Sequence, residues 1–64
     1  MDAVALENSE RRATVARLRD RAQHCRAMAD RAVSNTVAAE LAAIAREYER
    51  DAVALELKTG PSAA

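Results

Sequence analysis

Glycine and proline each occur only once in the chain, side by side at Gly60 and Pro61. Folds rich in turns or strands use more of both residues, because tight turns, bulges and strand ends depend on them. Ten acidic and ten basic residues give a net charge of zero, which excludes a strongly charged disordered tail. One cysteine and one histidine exclude a disulfide framework and an all-protein zinc site. The composition therefore predicts a small all-α domain.

One break divides the chain into two helical segments. The run 34–36 is Ser-Asn-Thr, three residues whose side chains can cap a helix N-terminus, and Val33 before them could form a hydrophobic staple. We expect the second helix at about 35–58. Lys58 would lie in its last turn, and the Gly60-Pro61 pair would end it.

The first helix has a less definite start. We expect it at about 9–32, within a hairpin domain at 9–59, with a firm start near Ser9. Residues 1–8 are expected to form a loosely held extension that is helical over 2–8. A cap at Asp2 is the alternative and would lengthen the helix by seven residues. Residues 60–64 are expected to form a flexible tail.

Apolar residues repeat at steps of 3-4-3-4-3 in both segments, which is the spacing of a coiled-coil seam. The two seams consist of Val15, Leu18, Ala22, Cys25, Ala29 and Ala32, and of Ala38, Leu41, Ala45, Tyr48, Ala52 and Leu55. Alanine alternates with a larger residue in the second seam, so the helix backbones can approach closely. Val37 and Ile44 widen its apolar face on one side, as expected of a helix with more than one neighbour.

The short break predicts an antiparallel two-helix hairpin. Residues 9–33 carry seven arginines against three acids, a net charge of +4, whereas residues 34–58 carry three bases against five acids, a net charge of −2. Opposite charges on facing helices favour this pairing weakly. Seams made half of alanine bury little apolar area, so we expect a homodimer, with two hairpins forming a four-helix bundle or coiled coil. The alternative is a hairpin that docks on another helical protein.

Arginine is concentrated in the first helix and gives a second functional hypothesis. A small regulator could bind nucleic acid through these side chains, with affinity that falls as salt rises. Acids interrupt the outer face, and aromatic side chains for base stacking are missing, so we interpret most of the arginines as flanking the seam and pairing with acids of helix 2. The candidate contact residues are Arg12, Arg17, Arg19, Arg21 and Arg26.

Cys25 gives a third hypothesis, a redox- or metal-responsive switch, because His24 and Met28 are close in sequence. The simpler interpretation places Cys25 in the seam as a small apolar filler. No group of residues has a catalytic spacing, so we expect a structural or interaction module that is not an enzyme and has no cofactor.

The chain has neither a basic, apolar leader nor an apolar run of about 20 residues. We therefore expect a cytoplasmic protein without a membrane partner.

Two segments resemble a group of short bacterial helical-hairpin proteins. Residues 21–29 fit the pattern R-A-x-x-C-R-x-x-A, and residues 41–52 fit L-x-x-x-A-x-x-Y-x-x-x-A. Those proteins often have Asp-Pro in the intervening loop, where this chain has Ser34-Asn35. The resemblance covers about residues 17–55. It implies a helical hairpin in a bacterial cytoplasm, and it implies no activity.

Overall fold

The structure is a computed structural model that describes residues 3–59, with side chains described for residues 6–58. Two α-helices, α1 (Ala3–Arg31) and α2 (Asn35–Thr59), pack against each other, and the described residues contain no strand. The prediction of an all-α hairpin is confirmed. The Cα atoms span 51 × 20 × 10 Å, so the molecule is a single layer of two helices.

Helix α1 begins at Ala3, so the helical extension expected before Ser9 is present from residue 3 onward. Asn8 and Ser9 lie inside the helix, because residues 3–7 contain neither glycine nor proline and nothing there interrupts the hydrogen-bond ladder. The alternative cap, Asp2, and the expected tail at 60–64 lie outside the described residues. Helix α2 extends to Thr59, one residue beyond the expected end.

Ser34 caps helix α2. Its Oγ accepts hydrogen bonds from the backbone N–H groups of Thr36 at 3.2 Å and Val37 at 3.4 Å, and its carbonyl accepts one from Ala38 at 3.0 Å. These bonds satisfy donors that the first turn of a helix leaves unpaired. Val33 is fully exposed, so the expected hydrophobic staple does not form.

The hairpin core is small. Four apolar residues are buried among the described side chains, namely Val15, Ala22, Ala45 and Ala52, and Ala45 has no exposed surface at all. Three of the four are alanine, so the helices meet through close backbone approach and not through interdigitating large side chains. Such a core buries little apolar surface, which limits the stability of the hairpin on its own.

Candidate interaction surface

The twelve seam residues form two rows of unequal burial. The back row consists of Val15, Ala22, Ala29, Ala38, Ala45 and Ala52. The front row consists of Leu18, Cys25, Ala32, Leu41, Tyr48 and Leu55. Four back-row residues are buried and the other two are half-buried, whereas all six front-row residues are half-buried. The seam is therefore closed at the back and partly open at the front.

Two ion pairs close the back of the hairpin. Arg19 pairs with Glu56, and Arg26 pairs with Glu49, so the pairs are one heptad apart on both helices. Each of the four residues follows a buried back-row residue by four positions, which places all of them along one edge, here called the back edge. Flanking arginines are expected to pair with acids of the second helix, and Arg19 and Arg26 do so.

The Arg26–Glu49 pair is bidentate. Arg26 Nε donates to Glu49 Oε2 at 3.0 Å, and Arg26 Nη2 donates to Glu49 Oε1 at 2.6 Å. These hydrogen bonds hold the pKa of Glu49 below its usual value and raise the pKa of Arg26, with the Coulombic attraction adding in the same direction. Both side chains are nearly half exposed, so solvent screens the pair and its stabilisation is modest.

A shallow groove of about 270 Å³ lies between the two ion pairs, lined by Arg19, Ala22, Gln23, Glu49 and Val53. Small-molecule sites usually have volumes of roughly 300–1,000 Å³ and enclose most of the ligand. This groove is smaller and half open, so it is a poor candidate for a ligand site.

The front of the hairpin carries exposed apolar side chains. Met28, Val37 and Ile44 are 42%, 45% and 41% exposed. Met28 and Ile44 each follow a front-row residue by three positions, and Val37 precedes one by four, so all three lie beside the front row. Together with four front-row residues they form a surface here called the front face: Leu18, Cys25, Met28, Val37, Leu41, Ile44 and Tyr48.

On each helix, the exposed apolar residues of the front face belong to a stripe that also contains charged residues. On α1 the stripe has steps of 4-3-4-3 and consists of Arg17, Arg21, His24, Met28 and Arg31. On α2 it has steps of 3-4-3-4 and consists of Val37, Glu40, Ile44, Glu47 and Asp51. All the ionisable members are exposed, and no ion pair joins any of them within the described part of the chain. The front therefore has a basic half on α1 and an acidic half on α2.

The five arginines proposed as nucleic-acid contacts do not form one surface. Arg19 and Arg26 lie in the back-edge ion pairs. Arg17 and Arg21 are exposed on the front stripe of α1, where Arg17 Nη2 donates to Thr14 Oγ1 at 3.4 Å. Arg12 is exposed as well. The structure thus divides the set between opposite sides of the hairpin.

Cys25 is a free thiol and is half-buried in the front row. His24 and Met28 are both exposed beside it. Over the described residues, no three His, Cys, Asp or Glu side chains are grouped so that they could hold a metal ion.

Three polar residues of α1 are half-buried although the sequence analysis did not assign them to the seam: Asn8, Arg11 and Thr14. Asn8 and Arg11 continue the 3-4 spacing backwards from Val15, so the spacing alone could have identified them. They are absent from the apolar pattern because all three side chains are polar. Leu55 of α2 lines a groove at this end with Arg11 and Thr14.

The chain matches no protein-family model, no curated protein and no solved structure. The resemblance to bacterial helical hairpins therefore stays a prediction from the two motifs. Neither helix, within the described residues, combines the length and the apolar character that crossing a membrane requires.

Proposed function

We propose that this protein is a non-enzymatic interaction module that forms a homodimer through its front face. The observation that supports the proposal is the asymmetry of the seam, buried at the back and open at the front. The front face has the composition of an interface, with a large aromatic, a methionine and aliphatic side chains at its centre and charges at its margins. A four-helix bundle would cover it with a second hairpin.

The solvent-exposed area of the chain is large enough for an interface of the size that stable dimers use. The protein exposes 4929 Å². A compact folded monomer of its mass would expose about 4,000 Å². The difference of about 900 Å² is close to the area of about 800 Å² that each partner buries in a stable protein–protein interface.

Sedimentation equilibrium at micromolar concentration tests the proposal. We expect a mass of about 13.8 kDa, twice the chain mass of 6.9 kDa. A well-folded helical monomer at 100 µM would contradict it. A poorly helical monomer would contradict it too, and would favour a hairpin that folds onto another helical protein.

A bacterial cytoplasmic setting is part of the proposal and is supported by the motifs at 21–29 and 41–52. The same motifs bring no activity with them.

A regulator that binds nucleic acid is the second candidate function. It is supported by Arg17, Arg21 and Arg31, which are exposed on one stripe of α1. The two back-edge ion pairs weigh against it, because binding through Arg19 or Arg26 would break a pair. An electrophoretic mobility shift at about 50 mM salt decides the matter, since phosphate contacts are strongest there. A salt-sensitive shift that Arg17→Ala and Arg21→Ala remove would support binding, and no shift with any RNA or DNA would exclude it.

The Cys25 switch is the third candidate. A reagent such as dithionitrobenzoate would react with a functional thiol in the folded protein. Protection of Cys25 until the chain unfolds would identify it as a packing residue.

A further inference from the structure

We infer that two copies associate through their front faces with both turns at the same end, so that α1 of each copy lies on α2 of the other. The inference rests on the proposed homodimer and specifies its geometry. It follows from two features of the front, the position of its exposed apolar side chains and the signs of its two charged stripes.

Two hairpins that bury the same face can be related by a two-fold axis in one of two directions. An axis parallel to the helices places α1 over the partner's α2 and keeps the turns together. An axis across the helices, within the interface, places α1 over α1 and α2 over α2, with the turns at opposite ends. The two arrangements bury the same face, so only the distribution of residues along it can distinguish them.

On the front, the exposed large apolar side chains Met28, Val37 and Ile44 lie in the half of the molecule next to the turn. Met28 is three residues from the end of α1, and Val37 is two residues from the start of α2. Farther from the turn, the positions of α2 that are equivalent by heptad to Val37 and Ile44 carry Asp51 and Lys58. Turns at the same end bring each apolar patch onto its copy. Turns at opposite ends bring the apolar patch of one copy onto the charged half of the other. The apolar side chains would then remain exposed to solvent.

The charged stripes select the same arrangement. With the turns together, the basic stripe of each α1 faces the acidic stripe of the partner's α2, and this happens twice because the interface is symmetric. With the turns at opposite ends and the two α2 helices centred on each other, Glu47 near the middle of α2 would meet its own copy. Like charges facing each other oppose association.

The charges also match in height along the bundle. The seam pattern predicts pairs in order from Ala32 with Ala38 to Val15 with Leu55, which would place residue n of α1 near residue 70 − n of α2. The long side chains of the two ion pairs, Arg19 with Glu56 and Arg26 with Glu49, reach five residues past this register. A two-fold axis parallel to the helices preserves these heights. It brings three pairs of opposite charge within two residues of the same height: Arg31 with Glu40, Arg21 with Asp51, and Glu10 with Lys58.

Lys58 makes the geometry measurable in the unaltered protein because it is the only lysine of the chain. A carbodiimide joins an amine to a carboxylate that it contacts, without a spacer. An equal mixture of ¹⁴N and ¹⁵N protein, cross-linked and digested, reveals intermolecular links by mass spectrometry as mixed-isotope peptide pairs. We expect an intermolecular link from Lys58 to Glu10 or to its neighbour Glu7.

An intermolecular link from Lys58 to Glu40 would overturn the inference, because the two residues approach each other across the dimer only when the turns are at opposite ends. Turns at opposite ends would leave the proposed homodimer intact. A monomer in sedimentation equilibrium would overturn the homodimer and the inference together, so the two failures are distinguishable.

Spin labels give a second measurement that does not depend on cross-linking yield. Val33→Cys in a Cys25→Ala chain puts one label on the exposed turn, and sedimentation shows whether this chain still dimerises. Facing helices lie about 8–10 Å apart, so labels on adjacent turns should be roughly 10–25 Å apart. Turns at opposite ends would be separated by the length of a helix, about 40 Å. A distance near 40 Å in the dimer contradicts the inference.

A mixed dimer is the matched control. One chain carries the label at Val33→Cys and the other at Leu57→Cys, an exposed position near the open end. The expected distances are reversed, long when the turns are together and short when they are apart. Agreement of the two distances supports the inference, and the opposite pattern overturns it.

Discussion

The back and the front of the hairpin have the same kind of seam, but they differ in the size of the seam residues and in the residues that flank them. At the back, the row contains mostly alanine, and two arginine–glutamate pairs close the edge. At the front, the row contains Leu18, Leu41 and Tyr48, and the neighbouring positions carry Met28 and Ile44. The back is satisfied within one chain, whereas the front keeps its large apolar side chains half exposed.

This difference separates two physical tasks. Small back-row residues let the two helices approach closely, and the ion pairs fix which residues face each other across the hairpin. The larger front-row residues cannot be covered by a structure one helix layer thick, so their burial requires a second layer. A substitution on the front should therefore change association, and a substitution at the back should change the hairpin itself.

The largest expected effect is on association. Ile44→Lys should weaken the dimer by about a hundredfold, because the burial of one exposed isoleucine on each copy is lost from a symmetric interface, at roughly 1.4 kcal/mol each. The measurement is sedimentation equilibrium over a dilution series. Val53→Lys is the matched control, since Val53 is 49% exposed and lies on the back groove. Equal weakening by both substitutions would show that the front is not the interface.

Overpacking the back row should destabilise the hairpin. Ala45 has no exposed surface, and Ala45→Phe would force the helices apart at a cost of about 1–3 kcal/mol. The measurement is urea unfolding followed by circular dichroism. Ala39→Phe adds the same side chain at an exposed position of α2 that belongs to neither the seam nor the front stripe, and should change stability little. An Ala45→Phe chain as stable as its parent would contradict the close approach of the helices.

A smaller effect on thermal stability is expected at the turn, which belongs to neither the front nor the back of the hairpin. Ser34→Ala removes the oxygen that caps α2 and should cost about 1 kcal/mol, which lowers the Tm by roughly 4–8 °C in a domain of this size. Asn35→Ala is the control, because Asn35 is the first residue of α2 and the capping oxygens belong to Ser34. The two substitutions should differ in thermal melts; equal effects would assign the cap elsewhere.

The smallest effect is the pH dependence of the back edge. Arg26 lowers the pKa of Glu49 in the folded chain, so the pair stabilises the fold above the pKa that Glu49 has when unfolded. This stabilisation is lost as the pH falls through the lowered pKa in the folded state. Glu49→Gln should remove part of the acid sensitivity between about pH 5 and pH 2 in thermal melts. An acid sensitivity that Glu49→Gln leaves unchanged would contradict this contribution of the pair.

Much of the fold could be predicted from the sequence because one signal, the 3-4 apolar spacing, is repeated in two long segments. The cap at Ser34 was predictable for the same reason, since few residues lie between the segments. The sequence left the start of α1 open, because Asn8 and Ser9 can cap a helix but do not have to, and nothing else in the sequence ends the helix there. Local capping preference was outweighed by the continuous ladder.

The candidate site was only partly predictable. The sequence identified the seam and the widening by Val37 and Ile44, but not which seam row would be buried. That choice depends on how the helices rotate against each other, and in the structure it goes together with the back-edge pairs of Glu49 and Glu56. A helical wheel shows charges on both flanks and does not show which of them meet.

The central claim is that a second copy covers the front face, and the concentration dependence of thermal unfolding tests it most directly. Far-UV circular dichroism at 2, 20 and 200 µM would follow the helices. Folding coupled to dimerisation makes the Tm rise with protein concentration, because mass action favours the associated state. We expect such a rise in the parent chain and its reduction by Ile44→Lys but not by Val53→Lys. A cooperative transition with the same Tm at all three concentrations would mean that the hairpin is stable alone, and would contradict the account.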